Sequence, residues 1–335
     1  MENITLKQLA IKLGLSVATV SRALNDSYEI SAKTKKKVHA LAKELNYHPN
    51  PFASSLRKHK SKTIALIIPE ISNNFFSQII KGVEMVAKDK GYHVIICGSN
   101  ENYEKEERII KHLIGGRVDG ILLSASTETG SAGHLQEIMD RNIPLILFDR
   151  VLEDLDVKSI VSNDYESSYS ATKHLIANGC KKIAFLKVGN QLSNIEKRAK
   201  GYADALKENL AYTHPEIVMG MSNDEEENLK ILSRFITEEE PDAIFAAVEH
   251  LAISVYDVCK LLNLKIPQDL KILTYSNLDI ARHLNPSLTT ISQPAYEMGK
   301  SAASLLLAQI ENKPEFTDEK TLVIDSELII RDSTS

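Results

Sequence analysis

Apolar residues recur at helical spacing over the first fifty positions and gather into short unbroken runs from Thr63 onward. Leu6, Leu9, Ala10 and Leu13 mark one helix, Val20 and Leu24 a second, and Val38, Leu41, Ala42 and Leu45 a third over 32–46. Thr5 stands three residues before Gln8, the spacing of a capping box. Gly14 follows the first run, where a left-handed residue lets the chain turn sharply, and Ser16 and Ser31 stand where hydroxyls cap the next two helices. Two short helices joined by a Gly-containing turn form a helix-turn-helix. Its second helix offers Val17, Ala18, Ser21, Arg22 and Asn25 outward, with sizes and polarities that suit a DNA major groove. The small Val17 and Ala18 favour apolar contact with thymine methyls over hydrogen-bonded reading.

Pro49 and Pro51 end the third helix and restart the chain. Residues 52–57 then read as a helix too short to persist alone in water. The body follows as β-rich runs alternating with helical patterns: TIALII (63–68), HVIICG (93–98), DGILLSA (119–125) and PLILFD (144–149) in one half. KIAFLKV (182–188), a weak run near Ile217, AIFAAV (243–248) and KILTYS (271–276) make the other. Such alternation predicts βαβ units and two doubly wound parallel sheets, an α/β body of two lobes behind a small all-α headpiece. Ligands of such a body bind between the lobes, at the carboxyl ends of the strands.

Charge changes the picture at the front of the chain. The whole carries −5, yet up to Lys62 twelve basic residues face four acidic ones, so that segment carries +8 and the rest −13. A basic head on an acidic body is the footprint of a polyanion-binding module joined to something else. The third helix begins with Lys33, Lys35, Lys36 and Lys37, which suit phosphates and a merely solvated face equally well. Cys97, Cys180 and Cys259 are scattered and odd in number, so neither a disulfide frame nor a metal site is expected, and a reducing compartment is. No run has the length of a signal-peptide core or a membrane span, which places the protein in the cytoplasm with DNA. No nucleophile–base set, paired-carboxylate motif, metal cluster or Gly-rich dinucleotide loop is spaced for catalysis, so neither enzyme activity nor a cofactor is expected.

The order of residues in the headpiece resembles the lactose-repressor (LacI/GalR) family, which writes T-x-x-D-V-A-x-x-A-G-V-S-x-x-T-V-S-R-x-L-N. Ser16, Thr19, Val20, Ser21, Arg22, Leu24 and Asn25 match it. Further on, the segment from Ile68 to Phe76 resembles P-D-I-S-N-P-F-F, Arg198 with Gly201 and Tyr202 resembles R-x-x-G-Y, and PSLTTISQP from Pro286 to Pro294 resembles P-x-L-T-T-I-x-Q-P. The resemblance implies a DNA-binding headpiece (1–47), a hinge helix and linker (48–62) and an effector-binding, dimerising body (63–335) of the type I periplasmic-binding-protein kind. It implies three crossings between lobes, near Ser162, Ile291 and Leu322, giving a first lobe of 63–162 plus 292–321 and a second of 163–291 plus 322–335. A helix from Glu297 to Asn312 would return to the first lobe.

Carried over position by position, the DNA-binding residues are Thr5, Leu6, Ser16, Val17, Ala18, Thr19, Ser21, Arg22, Asn25, Ser31, Tyr47, Asn50, Ala53, Leu56 and Arg57. Leu56 holds the family's wedge position, which enters the minor groove between base steps, and Ser54 departs from the usual arginine. The effector residues are Asn73, Asn74, Phe75, Ser124, Asp149, Arg198, Glu249 and Ser276. Two of these depart from the family: it writes N/D-D-x-M/L-A where this chain has Val248-Glu249-His250-Leu251-Ala252, and G-Y/F-D-N/D where it has Thr274-Tyr275-Ser276-Asn277. A serine at 276 removes a carboxylate from beside Arg198, so the site would tolerate an anionic ligand, and a sugar, sugar acid or sugar phosphate is the expected effector. His250 reads better as a helix-start residue than as a ligand contact.

The implied function is a sequence-specific regulator of carbohydrate-utilisation genes, a homodimer on a pseudo-palindromic operator, switched by a sugar-like effector. The chain stops shortly after SELIIRD with no leucine-heptad helix, so no tetramer is expected. Three other readings compete: a carbohydrate receptor, a sugar-processing enzyme with a helical accessory domain, and a catabolite-type regulator controlled by a partner protein. The first leaves the basic head unexplained and the second lacks a catalytic constellation.

Overall fold

The computed structural model describes residues 4–47, 61–129, 132–152, 154–188, 192–209, 214–222, 224–315 and 317–335, and its contacts divide the chain into two units, Met1–Ser61 and Lys62–Ser335. In the first unit α1 (Leu6–Leu13), α2 (Val17–Leu24) and α3 (Ala32–Glu44) enclose a core of Leu9, Ala10, Val20, Ala23, Val38 and Ala42. Local chemistry sets each boundary. Thr5 and Gln8 form the reciprocal capping box, and Gly14 turns the chain at φ 63°. Ser16 accepts the Thr19 amide at 3.1 Å and Ser31 the Thr34 amide at 3.2 Å. Helix α3 stops at Glu44, two residues before the boundary its pattern predicts, because Asn46 takes a positive φ and Tyr47 donates back to Ala42.

The second unit holds two six-stranded sheets. The first contains β1 (Thr63–Ile68), β2 (His93–Gly98), β3 (Gly120–Leu123), β4 (Leu145–Phe148), β5 (Lys158–Ser162) and β11 (Thr321–Ile324), in the order β11-β5-β4-β3-β1-β2. The second contains β6 (Ile183–Val188), β7 (Ile217–Met221), β8 (Ala243–Ala246), β9 (Lys271–Tyr275), β10 (Thr289–Ser292) and β12 (Glu327–Ile329), in the order β12-β10-β9-β8-β6-β7. All pairs are parallel except β10 with β12, as expected where helices cover both faces of unbroken apolar strands. The chain passes from the first sheet to the second after Ser162 and returns after Ser292. Strand β11 pairs with β5 from Thr321↔Ser159 to Ile324↔Ser162, so the third crossing lies beyond Ile324. That corrects the sequence reading, which ended the first lobe at 321.

Two helix pairs pack backbone to backbone. Helix α4 (Asn74–Asp89) meets α11 (Ala295–Glu311) through Gly82 and Gly299, where a Cβ would lie 2.3 Å from the Tyr296 carbonyl and 2.4 Å from that of Ile79. Between them in sequence lie α5 (Tyr103–Leu113), α6 (Gly133–Asp140), α7 (Asp164–Ala177), α8 (Ser193–Glu208), α9 (Glu225–Glu239) and α10 (Glu249–Leu262). Helix α8 meets α7 through Gly201, whose Cβ would lie 2.3 Å from the Tyr165 carbonyl. The next residue, Tyr202, is buried and donates from its hydroxyl to the Ile183 carbonyl at 2.7 Å. The Gly-Tyr step is therefore a packing requirement. Gly201→Ala is expected to lower stability by about 1–3 kcal/mol, as overpacked cores do, read as a lower urea midpoint with unchanged slope.

Candidate nucleic-acid interface and effector cleft

On the headpiece, Val17, Ala18, Arg22 and Asn25 are exposed along α2, and Ser21 is half-buried beside them. Asn25 donates from its side-chain amide to the Ser21 carbonyl at 2.8 Å, closing the end of its own helix. Arg22 places Nη1 2.8 Å from the Glu29 carboxylate, a pairing the sequence reading did not foresee. Lys35 donates to the Asp26 carbonyl at 2.8 Å, so one of the four lysines is held to the loop. Thr5, Ser16, Thr19 and Ser31 serve the caps, Thr19 through its own hydroxyl 2.8 Å from that of Ser16. Leu6 and Tyr47 pack partly against the headpiece core. Asn50, Ala53, Leu56 and Arg57, together with Ser54, lie outside the described residues.

In the body, the carboxyl ends of the two sheets face each other across a cavity of ≈ 70 Å³. Asn73, Phe75, Asp149, Arg198, Glu249 and Ser276 line it, joined by Phe76, Arg150, Asn194, Tyr275, Asn277 and Gln293, among others. Asn73 caps α4 by accepting the Phe75 amide at 2.9 Å, which sets the ring of Phe75 at the cavity and its edge against Phe76. Asn74 does not line the cavity; it reaches across the lobes to the Asn277 carbonyl at 3.2 Å. Ser124 does not line it either. Its side chain is buried, the hydroxyl without a partner among the described residues.

Asp149 follows β4 in the left-handed region, at φ 57°, which aims its carboxylate between the lobes. Asn194, at the start of α8 in the second lobe, donates to it at 3.1 Å, and Gln293, on the second crossing, approaches at 3.5 Å. Burial pushes the Asp149 carboxyl up, against the pull of the Arg150 and Arg198 charges and these amides. Arg198 is buried beneath: Nε donates to Asp164 at 2.7 Å, Nη1 to the Ala247 carbonyl at 2.7 Å, and the guanidinium lies 3.7 Å from the centre of the Tyr275 ring. Two of its five donors are thus spent on the protein, leaving three N–H groups for anything else.

The two departures at 249 and 276 meet. Ser276 donates to Glu249 Oε2 at 2.8 Å, and Asn73 of the other lobe lies 3.5 Å from Oε1. Glu249, at the start of α10 and one methylene longer than the family's aspartate at that position, thus accepts from the serine that stands where the family has a second carboxylate. The cavity is lined by Asp149 and Glu249 and by Arg150 and Arg198, the two guanidinium groups being already paired with Glu101 and Asp164. The family writes a carboxylate at both positions, so this pair carries one fewer than that pattern. Arg150 is held by both oxygens of Glu101, at 2.7 and 2.8 Å. A larger cavity, ≈ 370 Å³, adjoins the cleft and shares Ser276, Asn277 and Gln293 with it.

Sequence reasoning missed Arg150, Asn194 and Gln293. Gln293 stands inside the PSLTTISQP motif and Arg150 directly after Asp149, so both lay beside recognised positions; Asn194 had no such marker.

The profile of bacterial regulatory proteins of the lacI family matches residues 5–50, and that of the periplasmic binding protein-like domain matches 172–334. An HTH-type transcriptional repressor PurR from Vibrio vulnificus is 33% identical, covering 98% of each chain. The chain belongs to the lacI family. A ribose operon repressor from Halalkalibacterium halodurans is 32% identical over 98% of this chain and 97% of its own. The crystal structure of a periplasmic binding protein/LacI transcriptional regulator from Alkaliphilus metalliredigens, complexed with D-xylulofuranose, superposes with a TM-score of 0.71 at 29% identity, over 82% of this chain and 99% of that one. This lacI-family chain is accordingly a DNA-binding transcriptional regulator with a small-molecule effector.

Among the described residues no helix is long and apolar enough to cross a membrane, and no three His, Cys, Asp or Glu side chains gather as a metal site.

Burial raises the Glu249 carboxyl above its ordinary value, only partly offset by the Ser276 and Asn277 hydrogen bonds. The folded state therefore holds this proton to higher pH than the unfolded state does. Glu249's contribution to stability is full below its ordinary value of about 4.3 and is lost as pH rises through the raised one. Urea midpoints measured from pH 4 to 7 are expected to fall less in Glu249→Gln than in the wild type.

Proposed function

We propose that the protein is a cytoplasmic repressor, without catalytic activity, whose operator affinity is set by a small neutral sugar bound between the lobes. Residues 1–47 read the DNA, 48–62 form the hinge and 63–335 sense the ligand. The single headpiece reads one half-site, so two copies of the chain bind a pseudo-palindrome.

The observation that carries the ligand class is the Glu249–Ser276 pair facing Asp149 and Arg198. Carboxylates accept from sugar hydroxyls, guanidinium N–H groups donate to them, and the Phe75 ring offers a face or edge to a sugar ring's C–H surface. An added phosphate would meet two carboxylates and two guanidinium groups that are already paired with Glu101 and Asp164. The cleft in its present closed state is smaller than the roughly 300 Å³ minimum of small-molecule pockets, so binding requires the lobes to part and re-form around the ligand. Hydroxyls then replace the hydrogen bonds that the lobes make with each other. The sugar named with two of the relatives supports this class.

Two measurements test the proposal. Calorimetric titration is expected to show binding of a neutral pentose or hexose and a loss of roughly 10- to 100-fold in Glu249→Gln, the worth of a hydrogen bond to a charged group. Tighter binding of the matching sugar phosphate would contradict it. DNA selected from a random pool is expected to bind with an affinity that falls steeply as salt rises, since phosphate neutralisation releases counterions. Salt-insensitive binding, or none, would favour a plain receptor.

A further inference from the structure

The ion pair between Arg22 and Glu29 puts a carboxylate on the one surface of the molecule that has to approach a polyanion. Up to Lys62 only four acidic residues stand among the sixteen charged ones, and Asp26 and Glu29 both lie in the loop between α2 and α3. Asp26 faces α3: its carboxylate lies 4.0 Å from Lys35 and 3.7 Å from His39. Glu29 turns the other way, to Arg22, at 2.8 Å. Both partners are about half exposed, at 59% and 47%, so the pair contributes little to headpiece stability. Its place still matters. Arg22 is the only cation on the outward face of α2, and it lies in the last turn beside Asn25.

A lone arginine there has two ways to bind DNA. Its planar fork fits the O6 and N7 of guanine, which carries sequence information, and it fits any phosphate equally well, which carries none. A fixed carboxylate on one edge of the guanidinium changes that competition. It restricts the side chain to rotamers that keep Nη1 near Glu29. It also places a negative charge where a phosphate would have to come, while a guanine edge, uncharged, pays no such repulsion.

Resting on the DNA-binding role of α2 given above, we propose that Glu29 is a positioning residue that restrains Arg22 for base reading and withholds it from phosphates, so that sequence discrimination gains at the expense of total affinity. The device works by making the wrong contact unfavourable, one of the two routes to specificity.

The test uses the full-length protein, a DNA sequence selected by it from a random pool, the same sequence with the guanine read by Arg22 replaced, and unrelated duplex DNA. Arg22→Lys identifies that guanine, since it loses the bidentate fork. In Glu29→Ala, binding to unrelated DNA is expected to tighten several-fold, discrimination against the replaced guanine to fall about tenfold, and the salt slope to steepen by about one phosphate contact. Glu29→Gln, which keeps the shape and removes the charge, is expected to move the same way by a smaller amount, and keeps the test valid if Glu29→Ala does not fold. In the Arg22→Lys background, Glu29→Ala should leave the residual discrimination at that guanine unchanged, as a purely structural role would not.

Unchanged discrimination in both Glu29 variants, with wild-type binding intact, would overturn the inference and leave the regulator standing. Failure of the wild-type protein to select any DNA would overturn the regulator reading itself, and the inference with it.

Discussion

A carboxylate buried between two lobes has to be satisfied from both. Asp149 comes from the first lobe, and its amide partners come from α8 of the second lobe and from the strand that returns between them. An unpaired charge in such a place is costly; Arg150 of its own lobe approaches at 3.9 Å, and the second lobe and the crossing add the amides. Closure of the body is thus tied to the hydrogen bonding of one side chain. Arg198 lies beneath it, pinned by Asp164, Ala247 and the Tyr275 ring inside the second lobe, so the positive field that Asp149 meets on closing is already in place. Sugar hydroxyls are competent substitutes for the amides, and a ligand can alter the open–closed balance only by making such differential contacts.

The Glu249–Ser276 pair shows how two departures from a pattern can act as one. Considered one position at a time, the serine removes a carboxylate and the glutamate looks like a conservative lengthening. Considered together, the serine hydroxyl donates to the longer side chain at 2.8 Å, so the two changes form one hydrogen-bonded unit. With Arg150 already held by Glu101 and Arg198 by Asp164, both cleft arginines are engaged with carboxylates, which is what argues for a neutral ligand over an acidic one. On the headpiece a carboxylate again acts beside an arginine, at an exposed surface, where its value lies in what it turns away.

Much of the architecture was legible because the signals are local. Unbroken runs such as TIALII are buried on both faces and announce parallel strands, and the Thr5, Ser16 and Ser31 caps sit where hydroxyls have amides to satisfy. The strand TLVI was harder: its residues at 321–324 alternate between exposed and half-buried at the sheet's edge, so its apolar pattern could not say which lobe it joins. The cleft was read through individual motif positions, of which Asp149 and Arg198 line the cavity and Ser124 does not. Nothing in the sequence at that serine sets it apart from the others. Glu249 with Ser276, Asn194 with Asp149 and Arg22 with Glu29 are contacts between distant or loop residues, set by where the backbone carries them, and no periodicity encodes them.

If one two-state equilibrium of the body links the cleft to the headpiece, ligand and operator must alter each other's affinity by the same factor. The direct measurement is a closed cycle: sugar affinity by calorimetry for the free and the operator-saturated protein, and operator affinity by fluorescence anisotropy with and without saturating sugar. The account predicts two equal ratios, displaced from unity by about 5- to 150-fold. Two ratios of one, with both ligands bound, would contradict it.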